Sequence, residues 1–181
     1  MTAIPYMGEI CSLFSAIFWA LAIIIFKKIG DRVSPMVINP VKSIIGLLLF
    51  MLTCLIMGVP LIPDAQFSNS DLLILSISGI IGIGIADIIF LHSLNILGAG
   101  ISAIVDTVYS PFVILFAFII LGESLTSTQL LGGALIIGAV LYASTKIQNI
   151  PVNRKRFKQG VFYGVGSIAM MALGIVMIKP I

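Results

Sequence analysis

Three charged residues stand where charge is expensive. Asp87 and Asp106 lie inside the apolar stretches IIGIGIADIIFLHS and ISAIVDTVYSPFVILF, and Lys42 lies early in a third, PMVINPVKSIIGLLLF. A carboxylate surrounded by hydrocarbon survives only against a cation, a substrate or a water-filled cavity, so the chemistry these residues offer is ion pairing, proton exchange or the binding of an ammonium group. Ser102, Asp106, Tyr109 and Ser110 recur at spacings of three and four, which puts a polar stripe along one face of a helix. Asn39, Lys42, Ser43 and Gly46 repeat that pattern, and Ser12, Ser15 and Trp19 form a weaker one.

Depth ties the three charges together. With a rise of about 1.5 Å per residue, Lys42 lies roughly 10 Å inside its helix, Asp87 about 6 Å before the end of its own and Asp106 about 8 Å past its start. Because alternate helices reverse direction, all three reach a similar level near one membrane face. Lys42 is therefore expected to neutralise Asp106 or Asp87, leaving the other carboxylate less compensated and able to carry a proton, or to bind a substrate ammonium. The candidate substrate site is Trp19, Asn39, Lys42, Asp87, Asp106, Tyr109 and Ser110, with Asp106 and Asp87 as candidates for proton coupling. Plainer readings stand beside these. Lys42 is close enough to an interface to snorkel, Asp87 to be hydrated at a helix end, and Trp19 to be packing. Glu9 and His92 suit interfaces. Pro111 kinks its helix and frees a carbonyl near Thr107. Small residues four apart, Ser78, Gly82 and Ala86, or Gly160 and Gly164, suit close helix packing.

These side chains need membrane helices to hold them. Of 181 residues, 60% are hydrophobic and 9% charged, far from the soluble balance of about a quarter charged, which points to an integral membrane protein. Six spans of about 20 residues can be drawn, near Glu9–Phe26, Pro35–Met57, Leu72–Leu91, Ile101–Leu121, Gln129–Thr145 and Gly160–Ile178. All are expected to be α-helical, because open sheet cannot satisfy its backbone in lipid. In LGESLTSTQ, Gly122 is placed to end one helix, and Thr126 with Gln129 makes a capping box for the next. Cys11 and Cys54 sit in apolar runs without disulfide or metal spacing. The start, MTAIPYMGEI, lacks the basic region of a secretory signal, so the first span is expected to be retained. No catalytic triad, phosphate loop or metal-ligand spacing is present, and neither an enzyme, a cofactor nor a nucleic-acid partner is expected.

Loop charge predicts sidedness. Lys27, Lys28 and Arg32 flank the first loop, and Lys146, Arg154, Lys155, Arg156 and Lys158 the fifth, while the second and fourth carry no Lys or Arg. By the positive-inside rule the odd-numbered loops are cytoplasmic and the N-terminus is outside. The first span also matches the sixth at an offset of 152, pairing Gly8 with Gly160, Ser15 with Ser167, Ala20 with Ala172 and Lys27 with Lys179. Copies separated by five spans run in opposite directions, as in inverted-repeat transporters. The expected organisation is a five-helix repeat over residues 1–146, a basic cytoplasmic loop over 147–159, and the first helix of a second, truncated repeat over 160–181.

Trp19 with Lys27, a basic residue early in the second helix, HSLNILGAGISA (His92 to Ala103), YSPF (Tyr109 to Phe112) and LGESLTSTQLLGGALIIGAVL (Leu121 to Leu141) together resemble the EamA family of the drug/metabolite transporter superfamily. The resemblance rests on Ser110 with Pro111, Leu121 to Glu123, and Gln129 with Gly132, in that order and spacing. It implies a ten-helix carrier in a cell membrane, with a central cavity lined by the first, third and fourth helices of each repeat. Such carriers move small polar metabolites, such as amino acids and their derivatives, by alternating access. The expected partners are a small-molecule metabolite, the lipid bilayer and, in a homodimer, a second copy. Lys42 falls where the family usually has arginine, and Asp87 and Asp106 where many members are uncharged. Members with a basic second loop and a cytoplasmic N-terminus differ from this chain. Alternatives are a multidrug/proton exchanger of the small-multidrug-resistance type and a lipid-linked sugar flippase. Against the first, Trp19 rather than an acid occupies the middle of the first helix. A non-transporting scaffold is disfavoured by the inward polar stripes.

Overall fold

The computed structural model describes residues 6–60, 67–146 and 153–179. Among them there are six helical rods and no strand: α1 (Met7–Gly30), α2 (Pro35–Met57), α3 (Asn69–Leu97), α4 (Ala99–Leu121), α5 (Ser127–Lys146) and α6 (Arg154–Met177). Five are long and apolar enough to cross a membrane; the apolar part of α5, Ser127–Tyr142, is shorter. Each rod alternates in direction with the next, so the basic ends of α1 and α6 share one face of the bundle.

Local chemistry sets the ends. Ser34 caps α2, its hydroxyl accepting from the Met36 N–H, with Pro35 at the first helical position where its missing N–H costs nothing. Ser68 and Asp71 form a reciprocal capping box on α3. The α4–α5 hairpin is closed as expected. Gly122 adopts φ +66°, and Thr126 and Gln129 exchange hydrogen bonds of 2.9 and 3.3 Å. Two ends differ from expectation. Helix α3 runs on to Leu97 instead of stopping at Leu91, and a single residue, Gly98 at φ +79°, turns the chain into α4. Helix α6 starts at Arg154, inside the stretch assigned to a loop, because the Asn153 side chain caps it by accepting from the Lys155 N–H at 3.0 Å.

Two rods are interrupted. Residues Ile80–Ile85 of α3 form a π-helical turn. In α4 the α-helical pattern lapses at Thr107 and Val108, one turn before Pro111, where the two amides reach back only three residues to Ile104 and Val105. Thr107 is exposed and turns its own hydroxyl onto the Ile104 carbonyl at 2.7 Å.

The core lies where α6 beds between α3 and α4. Helix α6 buries Gly160, Gly164, Ser167, Ile168, Ala172, Gly174 and Val176 on one face. It runs antiparallel to α3. Ser78 donates to the Gly174 carbonyl near one end, and Ser93 to the Gly160 carbonyl near the other, both at 2.8 Å. Small side chains let the backbones touch, the expected role of Ser78, Gly82, Gly160 and Gly164. Leu94, Val105 and Ile168 fill the centre. Most of α1 and α2 stays outside this core: α2 buries only Ile38 and Asn39.

Candidate transport site

The site is built on the two interrupted helices and the two that lean on them. On α2, Asn39 and Lys42 are three residues apart, so both face α3. The Asn39 amide donates to the carbonyls of Ile83 and Gly84 at 3.1 and 3.0 Å. Those carbonyls belong to the π turn, whose widened ladder leaves acceptors without helical partners. Asn39 is 5% exposed, and its Oδ1 has no partner among the described residues. One turn on, Lys42 pairs with Asp87 across the same interface. Both side chains keep some access to solvent.

Asp106 has a different neighbour. Its Oδ2 accepts from the Trp19 indole N–H at 3.2 Å, which joins α4 to α1. No cation pairs with it among the described residues, and its Oδ1 carries no hydrogen bond there. Trp19 is 48% exposed and Asp106 partly so, which leaves the pair reachable. The three charges thus divide into a neutral pair, Lys42 with Asp87, and a lone carboxylate held by an indole.

The rest of the predicted stripe is interrupted in the middle. Ser102 is 1% exposed, with its hydroxyl unpartnered among the described residues, whereas Ser110 is exposed. Tyr109 packs in part against the apolar core and stays within electrostatic reach of the Asp106 carboxylate. The lapse at Thr107 and Val108 divides Ser102 and Asp106 from Tyr109 and Ser110. Asp87 lies deeper than expected, roughly 15 Å from the end of its helix at 1.5 Å per residue, because α3 continues to Leu97.

One contact escaped the sequence. Lys179, just past α6, pairs with Glu123 of the α4–α5 hairpin, next to a 440 Å³ cavity that also involves Gln129 and Ile178. Nothing in the spacing of 123 and 179 announces it; it follows from the parallel seating of α4 and α6. Toward the opposite end of the bundle His92 meets the Tyr163 ring edge-on, with centroids 5.4 Å apart. Among the described residues there is no group of three or more His, Cys, Asp or Glu that could hold a metal.

A multi-pass helical bundle with broken spans and intramembrane charges facing protein is the architecture of a membrane transporter. The chain belongs to the EamA-like transporter family, whose model matches residues 6–145, more than half of it. That is a transporter family of the drug/metabolite transporter superfamily, not an enzyme family. No curated protein and no solved structure matches the chain.

Proposed function

We propose that the protein is a secondary transporter of small polar metabolites, such as amino acids or their derivatives, working by alternating access as part of an inverted-repeat, ten-helix carrier. The observation that carries this reading is the Asp106 carboxylate, inside a membrane span, reachable, bonded to Trp19 and without a cation partner among the described residues. Evolution seldom leaves such a charge in a membrane unless substrate or protons use it. The π turn in α3 and the lapse in α4 support it further, because discontinuous helices are where carriers build their sites. Asp106 is the carboxylate of the site and the proton carrier, while Asp87, already neutralised by Lys42, holds α2 to α3.

The test is uptake of a panel of labelled amino acids into proteoliposomes with and without an imposed pH gradient. Gradient-driven uptake that is lost in Asp106→Asn is the expected result. Uptake in that variant equal to the wild type, with the same response to the gradient, would remove Asp106 from the mechanism.

A further inference from the structure

The same carboxylate and indole define what part of a substrate they hold. We infer that Asp106 and Trp19 form a recognition site for the ammonium group of a monovalent organic cation, a primary or quaternary amine. This inference rests on the carrier reading above, since it names the substrate class of the same site.

Three observations lead there. First, among the described residues no cation pairs with Asp106, and Lys42, at a similar depth, is already paired with Asp87, so the site holds one uncompensated negative charge. A single carboxylate balances a single positive charge, and a second basic group on the ligand would find no acid here. Second, the indole approaches with its N–H edge, so the ring stands beside the carboxylate with its faces unblocked by the bond. A substrate ammonium that bridges from the free Oδ1 over one of those faces is attracted by the ring quadrupole, more strongly where water is excluded. Third, nothing near the pair suits an inorganic ion. Metal cations of useful affinity need several oxygen ligands, and no acidic or histidine cluster accompanies Asp106 among the described residues. An ammonium needs one strong acceptor and an apolar wall, which is what Asp106 and Trp19 supply.

Trp19 is the chain's single tryptophan, so its fluorescence reports on this site. The experiment uses the purified full chain in nanodiscs, titrated at constant ionic strength with butylammonium and tetraethylammonium. Sodium chloride, 1-pentanol and pentanoate serve as inorganic, neutral and anionic comparisons. Both ammonium probes are expected to shift the Trp19 emission saturably, and the three comparisons to leave it unchanged. Asp106→Asn should weaken the ammonium response at least about tenfold while keeping the folded emission spectrum, because asparagine still accepts the indole N–H. Asp106→Glu should restore part of the affinity. In Trp19→Phe the fluorescence change disappears, and butylammonium binding by calorimetry should fall about threefold or more, as expected for the loss of the better ring face.

Equal responses to pentanol, pentanoate or sodium would overturn the assignment, as would undiminished ammonium binding in a folded Asp106→Asn protein. Failure here is separable from failure of the carrier reading. Uptake of some other metabolite class without an ammonium response removes this site alone. An intact ammonium response with no uptake of any solute removes the carrier reading and leaves the site standing.

Discussion

Gly174→Ala tests how the bundle is held together. A Cβ at Gly174 would lie 3.1 Å from the Gly82 Cα and 3.2 Å from the Ser78 carbonyl oxygen, both backbone atoms of α3 that cannot rotate away. The two helices must separate by a few tenths of an ångström. Overpacking of this kind costs about 1–3 kcal/mol. Weakening the Ser78–Gly174 hydrogen bond adds about 0.6 kcal/mol, the mean for such bonds in a membrane protein. Alanine recovers about 0.8–1 kcal/mol in helix propensity, so the net loss is about 0.6–2.8 kcal/mol, roughly a three- to hundredfold shift in the folded population. Gly166, on the same helix, meets nothing within 4 Å, and Gly166→Ala should be neutral or stabilising. The assay is unfolding of the purified protein in mixed micelles by a denaturing detergent, followed by far-ultraviolet circular dichroism. A Gly174→Ala protein within about 0.5 kcal/mol of wild type, or a Gly166→Ala protein that loses as much, would refute the close-packing account.

Asn39→Ala strips the Ile83 and Gly84 carbonyls of their donor and should cost about 1–3 kcal/mol, with faster amide hydrogen exchange confined to the middle of α3. Lys42→Met should destabilise by at most about 3–5 kcal/mol, because it abandons the Asp87 charge, and the double variant with Asp87→Asn should recover much of that loss in the same unfolding assay. A reporter inserted after Gln148 should show cytoplasmic accessibility, since the basic ends of α1 and α6 lie on that face; labelling from outside would invert the topology.

The helices and their hairpin could be read before the structure because their causes are local. Apolar length makes the spans, and Gly122, Thr126 and Gln129 fix the α4–α5 turn within a few residues of one another. Partnership was harder. Depth alone left Lys42 a choice between two aspartates at one level, and the choice is made by neighbourhood: α2 lies against α3, so Asp87 receives the lysine, and α1 lies near the start of α4, so Trp19 reaches Asp106. The role of Asn39 was out of reach altogether, since its acceptors exist only once α3 has widened into a π turn.

That π turn has a cause in the packing of α6. From Ser78 to Ser93 the chain passes fifteen positions on α3, while their partners on α6, Gly160 and Gly174, are fourteen apart. At about 100° per residue, fifteen α-helical steps set Ser93 about 60° around from Ser78, whereas fourteen, the spacing of their partners on α6, set a residue about 40° the other way, so α3 carries one residue more than a matched pair of helices needs. A π turn absorbs that surplus by fitting one more residue into a turn, which returns Ser93 to α6 and Asp87 to Lys42. Deleting Gly84 should therefore be tolerated, although a deletion inside a membrane span ordinarily rotates everything beyond it. The surplus vanishes, α3 becomes regular, and the loss is limited to the Asn39 hydrogen bonds. Deleting Gly166 from α6 makes the mismatch larger, and that protein should fail to give a monodisperse folded bundle. Size-exclusion profiles and detergent unfolding of the two deletions decide the matter: equal damage from both would mean that the π turn is not the device that reconciles α3 with α6.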